Sequence, residues 1–319
     1  MNARLLCLLF LPLLVLACDA ESDRSSNDGT DTGEHEIRGT TRVTAKALTN
    51  LVADGAYVFG AHGDDVLAIG PNGETKLLQS HEHGVLLGLA ADKSRVFALY
   101  HDISDGYLVV SVPREGGAPT RLARNQAIGW TGTGEPGPMA VHDGTLYWGE
   151  CGSAFSSSGF VRALPLGSAN AEARVVAKDA PCPSSITFSA THVYWSTYLV
   201  TITRAPLAGG ASETFYGGGS ARNLVVAGDA IYWNDWASNK TLRRPLASNV
   251  EPERVGYYAP ELLGEWKGTL VVRQDSSVGP NETTNDNAFV KGAEDILDAA
   301  MAEGTLYWST RKGTFVKTL

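Results

Sequence analysis

The sequence predicts an all-β chain built as a closed ring of seven four-stranded antiparallel sheets, and three observations carry that prediction. An aromatic phrase returns at intervals near forty residues. Short runs of β-forming residues alternate with Gly- and Asp-rich turns. A strand-like segment near the N-terminus has no unit of its own, and the last unit lacks its final strand. Four antiparallel strands repeated around a ring describe a β-propeller.

The phrase reads "LYWGECGSAFSSSGFVRALPLG" from Leu146, "VYWSTYLVTITRAPLAGG" from Val193, "IYWNDWASNKTLRRPL" from Ile231 and "LYWSTRKGTFVKTL" from Leu306. Aligned on its second aromatic, it places anchors at Phe59, Ala98, Trp148, Trp195, Trp233, Val272 and Trp308, spaced by 39, 50, 47, 38, 39 and 36 residues. Each unit opens on a semi-apolar strand such as "RNLVVAG" and turns at a Gly–Asp or Asp–Gly pair. The aromatic strand follows, then a polar loop and a strand such as "TITRAPL" or "GYLVVSVP". Gly116-Gly117 and Gly209-Gly210 supply turns into outer strands such as "PTRLARN". A sheet covered on both faces needs bulk on both, so Ile231 and Trp233 project one way and Tyr232 the other.

The ends close the ring. The chain stops after "GTFVKTL", a third strand, while "TTRVTAKAL", residues 40–48, resembles an outer strand without a blade. Pairing Val43 to Lys46 with Phe315 to Lys317 completes the last blade and removes an exposed sheet edge. The unit after Val272 lacks the aromatic pair and a clear outer strand, so six blades plus an irregular insertion remain the alternative count.

The N-terminus is different material. Arg4, the apolar run "LLCLLFLPLLVL" and "VLAC" form a signal peptide over residues 1–18. Val15 to Cys18 resembles the bacterial lipobox, which implies lipid attachment at Cys18 and an anchor of acyl chains rather than a spanning helix. An ordinary signal peptide cut near Ala20 is the plainer alternative. Residues 19–40 carry seven acids against two Arg and little apolar surface, a composition expected to form a disordered acidic tether. The propeller then spans 41–319. A formal net charge of −9 argues against nucleic acid as a partner.

Of the cysteines, Cys7 lies in the signal peptide and Cys18 is the lipid site, leaving Cys151 and Cys182 for a disulfide in an exported domain. Loops between second and third strands share one face with the links between blades, and the loop-rich face is where binding residues are expected. It collects His62, Asp64, Asp65, His81, His83, His101, Asp102, Asp105, Trp130, Glu150, Tyr198, Arg222, Asp235, Trp236, Tyr257, Tyr258, Asp275 and Arg311. For any one of them a solvated loop position is the default. "HGDD", "HEH" and "HDISD" hold ligands that could bind calcium or magnesium if their loops converged, but none has an EF-hand or zinc spacing, so no cofactor is assigned. Nucleophile-elbow, Walker and C-x-x-C patterns are absent from the sequence.

Tyr-Trp, a polar loop, Arg-x-Pro-Leu and Gly-Gly together resemble the YWTD-type propellers of lipoprotein-receptor ectodomains and related propellers of bacterial envelope lipoproteins. The resemblance covers 41–319 and implies a propeller fold. Only "YWND", Tyr232 to Asp235, keeps the Asp that ties neighbouring blades in that family; Thr197 and Thr310 replace it elsewhere. The function this reading favours is a monomeric, non-enzymatic module anchored in the bacterial envelope, binding an envelope protein, peptide or glycan through its loop-rich face. The alternative is a propeller lyase or hydrolase similar to virginiamycin-B lyase, with a divalent metal and a His base. An enzyme would gather one His and two carboxylates at the channel mouth; a binding module would expose aromatics such as Trp236 and Trp130.

Overall fold

The computed structural model describes residues 39–79, 84–102, 106–125, 137–151, 159–167, 171–178, 180–197, 201–257, 259, 261–281, 287–293 and 295–319. Signal peptide, Cys18 and nearly all of the tether therefore lie outside the described residues. Strands are the only regular elements within them, arranged as seven antiparallel sheets. No helix among the described residues is long and apolar enough to cross a membrane.

Blades 1 to 5 span 49–79, 85–125, 139–178, 183–216 and 221–257, each with four strands in sequence order. Blade 6, 261–280, has three strands, and the bridge between Val278 and Val290 stands beyond its third. That is the unit whose outer strand the sequence did not display. Blade 7 unites Asp298–Ala302, Thr305–Thr310 and Gly313–Thr318 with the N-terminal strand Thr41–Thr44. Thr41 faces Val316, Arg42 faces Phe315 and Thr44 faces Thr314, so the seam closes between the expected segments, with the pairing strand at Thr41–Thr44 rather than Val43 to Lys46. At Gly313, φ is 140° and a Cβ would collide with the Thr44 carbonyl, so this join requires glycine. The innermost strands touch in turn from blade 1 to blade 7, and blade 7 touches blade 1 again. The ring is seven-bladed and closed.

Seven apolar clusters hold it, one in each interface between blades. The aromatic pair divides between two of them, because neighbouring residues on a strand point to opposite faces. Ile231 and Trp233 pack with Tyr194 and Phe215 of blade 4, whereas Tyr232 packs with Leu262 and Val272 of blade 6. Trp148 likewise faces blade 2 while Tyr147 faces blade 4, and Trp308 faces blade 6 while Tyr307 faces blade 1. Each of the four tryptophans is at most 1% exposed.

Two units refine the alignment. In blade 2, Ala98 holds the Trp position, and Tyr100, two residues on and on the same face, restores the missing bulk toward blade 1. In blade 1 the residue fourth in its strand, where Trp stands elsewhere, is Gly60 rather than Phe59. Phe59 occupies the Tyr position and faces blade 2, while Val58 joins the interface with blade 7. A Cβ on Gly60 would lie 2.9 Å from Leu48 Cβ, so the link from the seam strand has taken the space a large side chain would need.

The two residues after each Tyr-Trp pair are buried as well, and in blades 5 and 7 they fasten links between blades. Asn234 Nδ2 donates to Ala259 O (2.6 Å) on the way to blade 6. In blade 7, Ser309 Oγ accepts from Leu48 N (2.7 Å) on the way to blade 1. Asp235 Oδ1 accepts from Ser220 N (3.1 Å) on the link from blade 4, and Oδ2 accepts from Ser238 Oγ (2.5 Å). Thr197 instead meets Thr201 within its own loop (Oγ1 to Oγ1, 2.9 Å), and Thr310 Oγ1 accepts from Lys312 N (3.1 Å). The Asp tie is thus made in blade 5 alone of these three, while the position before it carries a tie in blades 5 and 7.

Candidate functional site at the channel mouth

Every innermost strand starts at the end where blade-to-blade links arrive and runs toward the opposite end. At the first end the strands surround a cavity of about 470 Å3. Five of the seven innermost strands slip register there, between Thr49 and Val52, Leu86 and Gly88, Pro183 and Ser185, Arg222 and Val225, and Leu262 and Gly264. A β-bulge bends a strand and re-aims its side chains. Asn50 and Asn223 sit in two of these bulges at φ of 54° and 51°, a region Asn tolerates better than most residues, and both line the cavity.

One wall is charged and belongs to blades 6 and 7. Arg273 Nε donates to Glu261 Oε2 (2.9 Å), and its Nη1 donates to Ile296 O (2.9 Å). Asp298 Oδ2 accepts from Leu51 N of blade 1 (3.0 Å), and Oδ1 accepts from its neighbour Ala299 N (2.8 Å). Glu261 is thus ion-paired to Arg273, while Asp298 is held by backbone N–H groups and feels that guanidinium only through its charge. Glu261 keeps 30% of its side chain exposed yet is walled by protein. Burial, then the negative charge of Asp298, pushes its pKa up to about 7, and burial raises Asp298 too.

Blade 5 forms a wall of the other sign. Arg222 lines the cavity, with its guanidinium carbon 5.7 Å from the ring of Trp236. Among the described residues no carboxylate pairs with it. Trp236 is 64% exposed. It follows Asp235, which pairs with Lys240, which pairs in turn with Tyr257, 72% exposed and stacked under Arg254 at 4.2 Å. Two exposed aromatics thus stand at the same end of blade 5, Trp236 beside the cavity-lining Arg222 and Tyr257 at the tip of the outermost strand.

The rim is braced by the disulfide Cys151–Cys182, which joins the second strand of blade 3 to the entry of blade 4. Tyr107 of blade 2 reinforces it: its hydroxyl donates to Cys151 O (2.9 Å) and accepts from Cys151 N (2.7 Å).

Of the remaining residues expected on this face, His62, Asp64, Asp275 and Arg311 are exposed. His62 Nδ1 meets Ala47 O at 2.9 Å, and Asp65 pairs with Lys76 at 2.8 Å. His101 is 2% exposed, edge-on to Tyr107. Glu150, 3% exposed, accepts from Trp148 Nε1 and Arg162 Nε, both at 2.8 Å. Glu150 and Asp235 both serve internal hydrogen bonds rather than presenting oxygens to a ligand. Asp102 ends a strand, its side chain outside the described residues; His81, His83, Asp105, Trp130, Tyr198 and Tyr258 lie outside them altogether. Among the described candidates the sequence offers, the cavity takes only Arg222. Its other polar lining residues are Asn50, Ser184, Asn223, Glu261, Arg273 and Asp298, and a carboxylate opening an otherwise apolar strand, as in "ELLG" and "DAAM", is the signal in the sequence that marks two of them.

The opposite end carries the hairpins between first and second strands and the connections from third to fourth. The former are short, but 114–119, 207–212 and 246–252 are longer than the expected tight turns. Here lies a second hollow of about 730 Å3, with His142, His192 and Arg204 in its lining. His142 stacks on Phe188 at 4.5 Å, and burial and then Arg204 lower the pKa of His192. The described histidines that line a hollow and the carboxylate pair consequently stand at opposite ends of the ring, on different blades. Among the described residues no three His, Cys, Asp or Glu side chains gather as metal ligands.

No protein-family model matches the chain, and no curated protein matches it. Among solved structures, a chain of a nidogen/laminin complex is similar with a TM-score of 0.51 at 16% identity, over 68% of this chain and 81% of that one. The computationally designed Ika8 protein gives 0.57 at 12% identity, over 88% and 85%. A chain of a mitotic checkpoint complex gives 0.62 at 11% identity, over 96% and 99%. At such identities the likeness establishes the β-propeller fold and nothing finer.

Proposed function

We propose that this propeller is a non-enzymatic binding module of the bacterial envelope, anchored through acyl chains on Cys18 and carried on the acidic tether, which meets a protein partner at its channel-mouth face. The observation that carries the reading is the exposed ring of Trp236 beside Arg222 of a polar cavity, with the exposed Tyr257 at the same end of the blade's outer strand. Large exposed rings next to guanidinium groups are characteristic of protein interface hot spots. The mixed charge of the mouth suits a peptide chain better than a glycan, whose neutral hydroxyls would leave Arg222 without a counter-charge.

The test is capture from envelope extract on the immobilised full chain, with and without a chelator, against the variant carrying Trp236→Ala and Tyr257→Ala. The wild type should retain a protein partner in both conditions and the double variant should lose it. Chelator-sensitive turnover of an envelope component would reverse the reading in favour of a lyase or hydrolase. Cell fractionation of Cys18→Ala checks the anchor, since loss of the lipid site should move the protein out of the membrane fraction.

A further inference from the structure

Blade 5 separates its charges along its length. Its acids Asp229, Glu251 and Glu253 stand at the hairpin end, where Arg243 pairs with the first and the last. Cations gather instead at the channel-mouth end. Arg222 lies near the start of the first strand, Lys240 opens the third, and Arg254 of the outer strand folds its guanidinium over Tyr257, 4.2 Å from the ring centroid. Arg222 in turn stands 5.7 Å from the ring of Trp236, so each of these two exposed rings has a guanidinium beside it. Register makes the strand ends neighbours: Asp235 faces Ala221 and Lys240, and Lys240 faces Tyr257. Four strand ends about 4.8 Å apart span about 14 Å, the length of about four residues of extended peptide. Among the described residues no carboxylate forms an ion pair with Arg222, Lys240 or Arg254. The acid beside them, Asp235, is 7% exposed and spends its oxygens inside, Oδ1 on Ser220 N and Ala237 N and Oδ2 on Ser238 Oγ. The adjoining link from blade 4, Gly217 to Ser220, brings no charge of its own.

We propose that this end of blade 5 docks an acidic segment of the protein partner, its carboxylates on Arg222, Lys240 and Arg254 and its apolar side chains on Trp236 and Tyr257. This rests on the reading of the face as a protein-binding surface and names the chemistry of what that surface accepts. A neutral segment would desolvate three cations without a counter-charge, and a basic one would be repelled. An anionic lipid surface is broad and flat, whereas the cations here occupy one blade end on a chain of formal net charge −9. The same net charge disfavours an acidic partner at most approaches and so directs it to this row. Both guanidinium groups present planar forks suited to bidentate hydrogen bonding with carboxylates.

The experiment is fluorescence anisotropy of a labelled peptide, Glu-Glu-Phe-Glu-Glu capped at both ends, titrated with the full chain in neutral detergent beside its counterpart with Gln for every Glu. The acidic peptide should bind, and the Gln counterpart should bind about tenfold more weakly, the combined loss of three exposed ion pairs. The difference should shrink as salt is raised. Lys240→Gln together with Arg254→Gln should remove most of it, while Trp236→Ala should weaken both peptides alike. The comparison of the two peptides on the wild type needs no variant to fold. Equal binding of the two, or no binding of the acidic peptide to folded protein, overturns the proposal. Competition by tetraglucuronate as effective as by the unlabelled acidic peptide would overturn it in favour of an anionic glycan, and stronger competition by a peptide of residues 19–40 in favour of the chain's own tether. An envelope partner held equally by wild type and by the Lys240→Gln, Arg254→Gln variant would leave the binding module standing and remove this docking mode, so the two readings fail separately.

Discussion

Asn234 illustrates why the repeated phrase extends past its aromatics. It is fully buried, donates to Ala259 O at 2.6 Å and accepts from Thr241 Oγ1 at 3.1 Å, so one amide fastens both a link and a neighbouring strand. Asn234→Ala removes the donor to the buried Ala259 carbonyl, while the Thr241 hydroxyl keeps Tyr257 O at 2.7 Å, and should cost about 1–3 kcal/mol. Trp233→Ala, which empties an interface cluster, should cost about 3–5 kcal/mol. Trp236→Ala, three residues on from Trp233, should change stability by no more than about 0.5 kcal/mol, because its ring is already in solvent. Urea unfolding of the three variants tests the ordering, and a large loss in Trp236→Ala would show that this ring is structural rather than available to a partner.

The N-terminal strand contributes more than its four residues suggest. Thr41–Thr44 hydrogen-bonds to Gly313–Thr318, Val43 packs into the interface between blades 7 and 1, and Thr314 Oγ1 donates to Lys46 O at 3.0 Å. Without it, the last strand of blade 7 would present unpaired donors and acceptors as a template for another chain. Deleting 41–44 should therefore lower the melting temperature and promote association, visible as a larger species by light scattering. A deletion variant that scatters light and melts as the wild type does would show that the ring does not depend on its clasp. Blade 6 is the contrasting element, with three strands and no aromatic pair, yet Val271 and Val272 still split between its two interfaces. The alternation, more than the ring chemistry, sustains the stacking.

Across the whole ring, the carboxylate pair couples three blades at the seam, for Glu261, Asp298 and Leu51 belong to blades 6, 7 and 1. Both folded-state pKa values are raised, so between the ordinary glutamate value of 4.5 and about 7 the folded protein holds protons that the unfolded chain has released. Stability should fall as pH rises through that window, by on the order of 1–3 kcal/mol. His192 works in the other direction, its lowered pKa making stability rise as pH climbs toward the ordinary histidine value of 6.5. The difference between wild type and Glu261→Gln in denaturation at pH 5 and pH 8 isolates the carboxylates; parallel curves would show that Glu261 titrates as an ordinary surface acid. The fold was legible because a ring of blades must repeat its packing residues, and a repeat of Tyr-Trp near forty residues is visible without coordinates. The join of Val43 with the C-terminal strand was legible for the same reason, since one strand was in excess at one end and missing at the other. Blade 1 was misaligned by one residue, since the link beside Leu48 replaces a large ring at Gly60, and only packing reveals that substitution. The candidate site was mostly hidden. Glu261, Arg273 and Asp298 come from two units and meet Leu51 from a third, and no local pattern encodes which residues of separate repeats converge. The chain's composition and period dictate the propeller and its clasp, because these depend on what every blade must do alike. The identity of the mouth was settled by closure of the ring, which sets unlike residues from different blades around one axis.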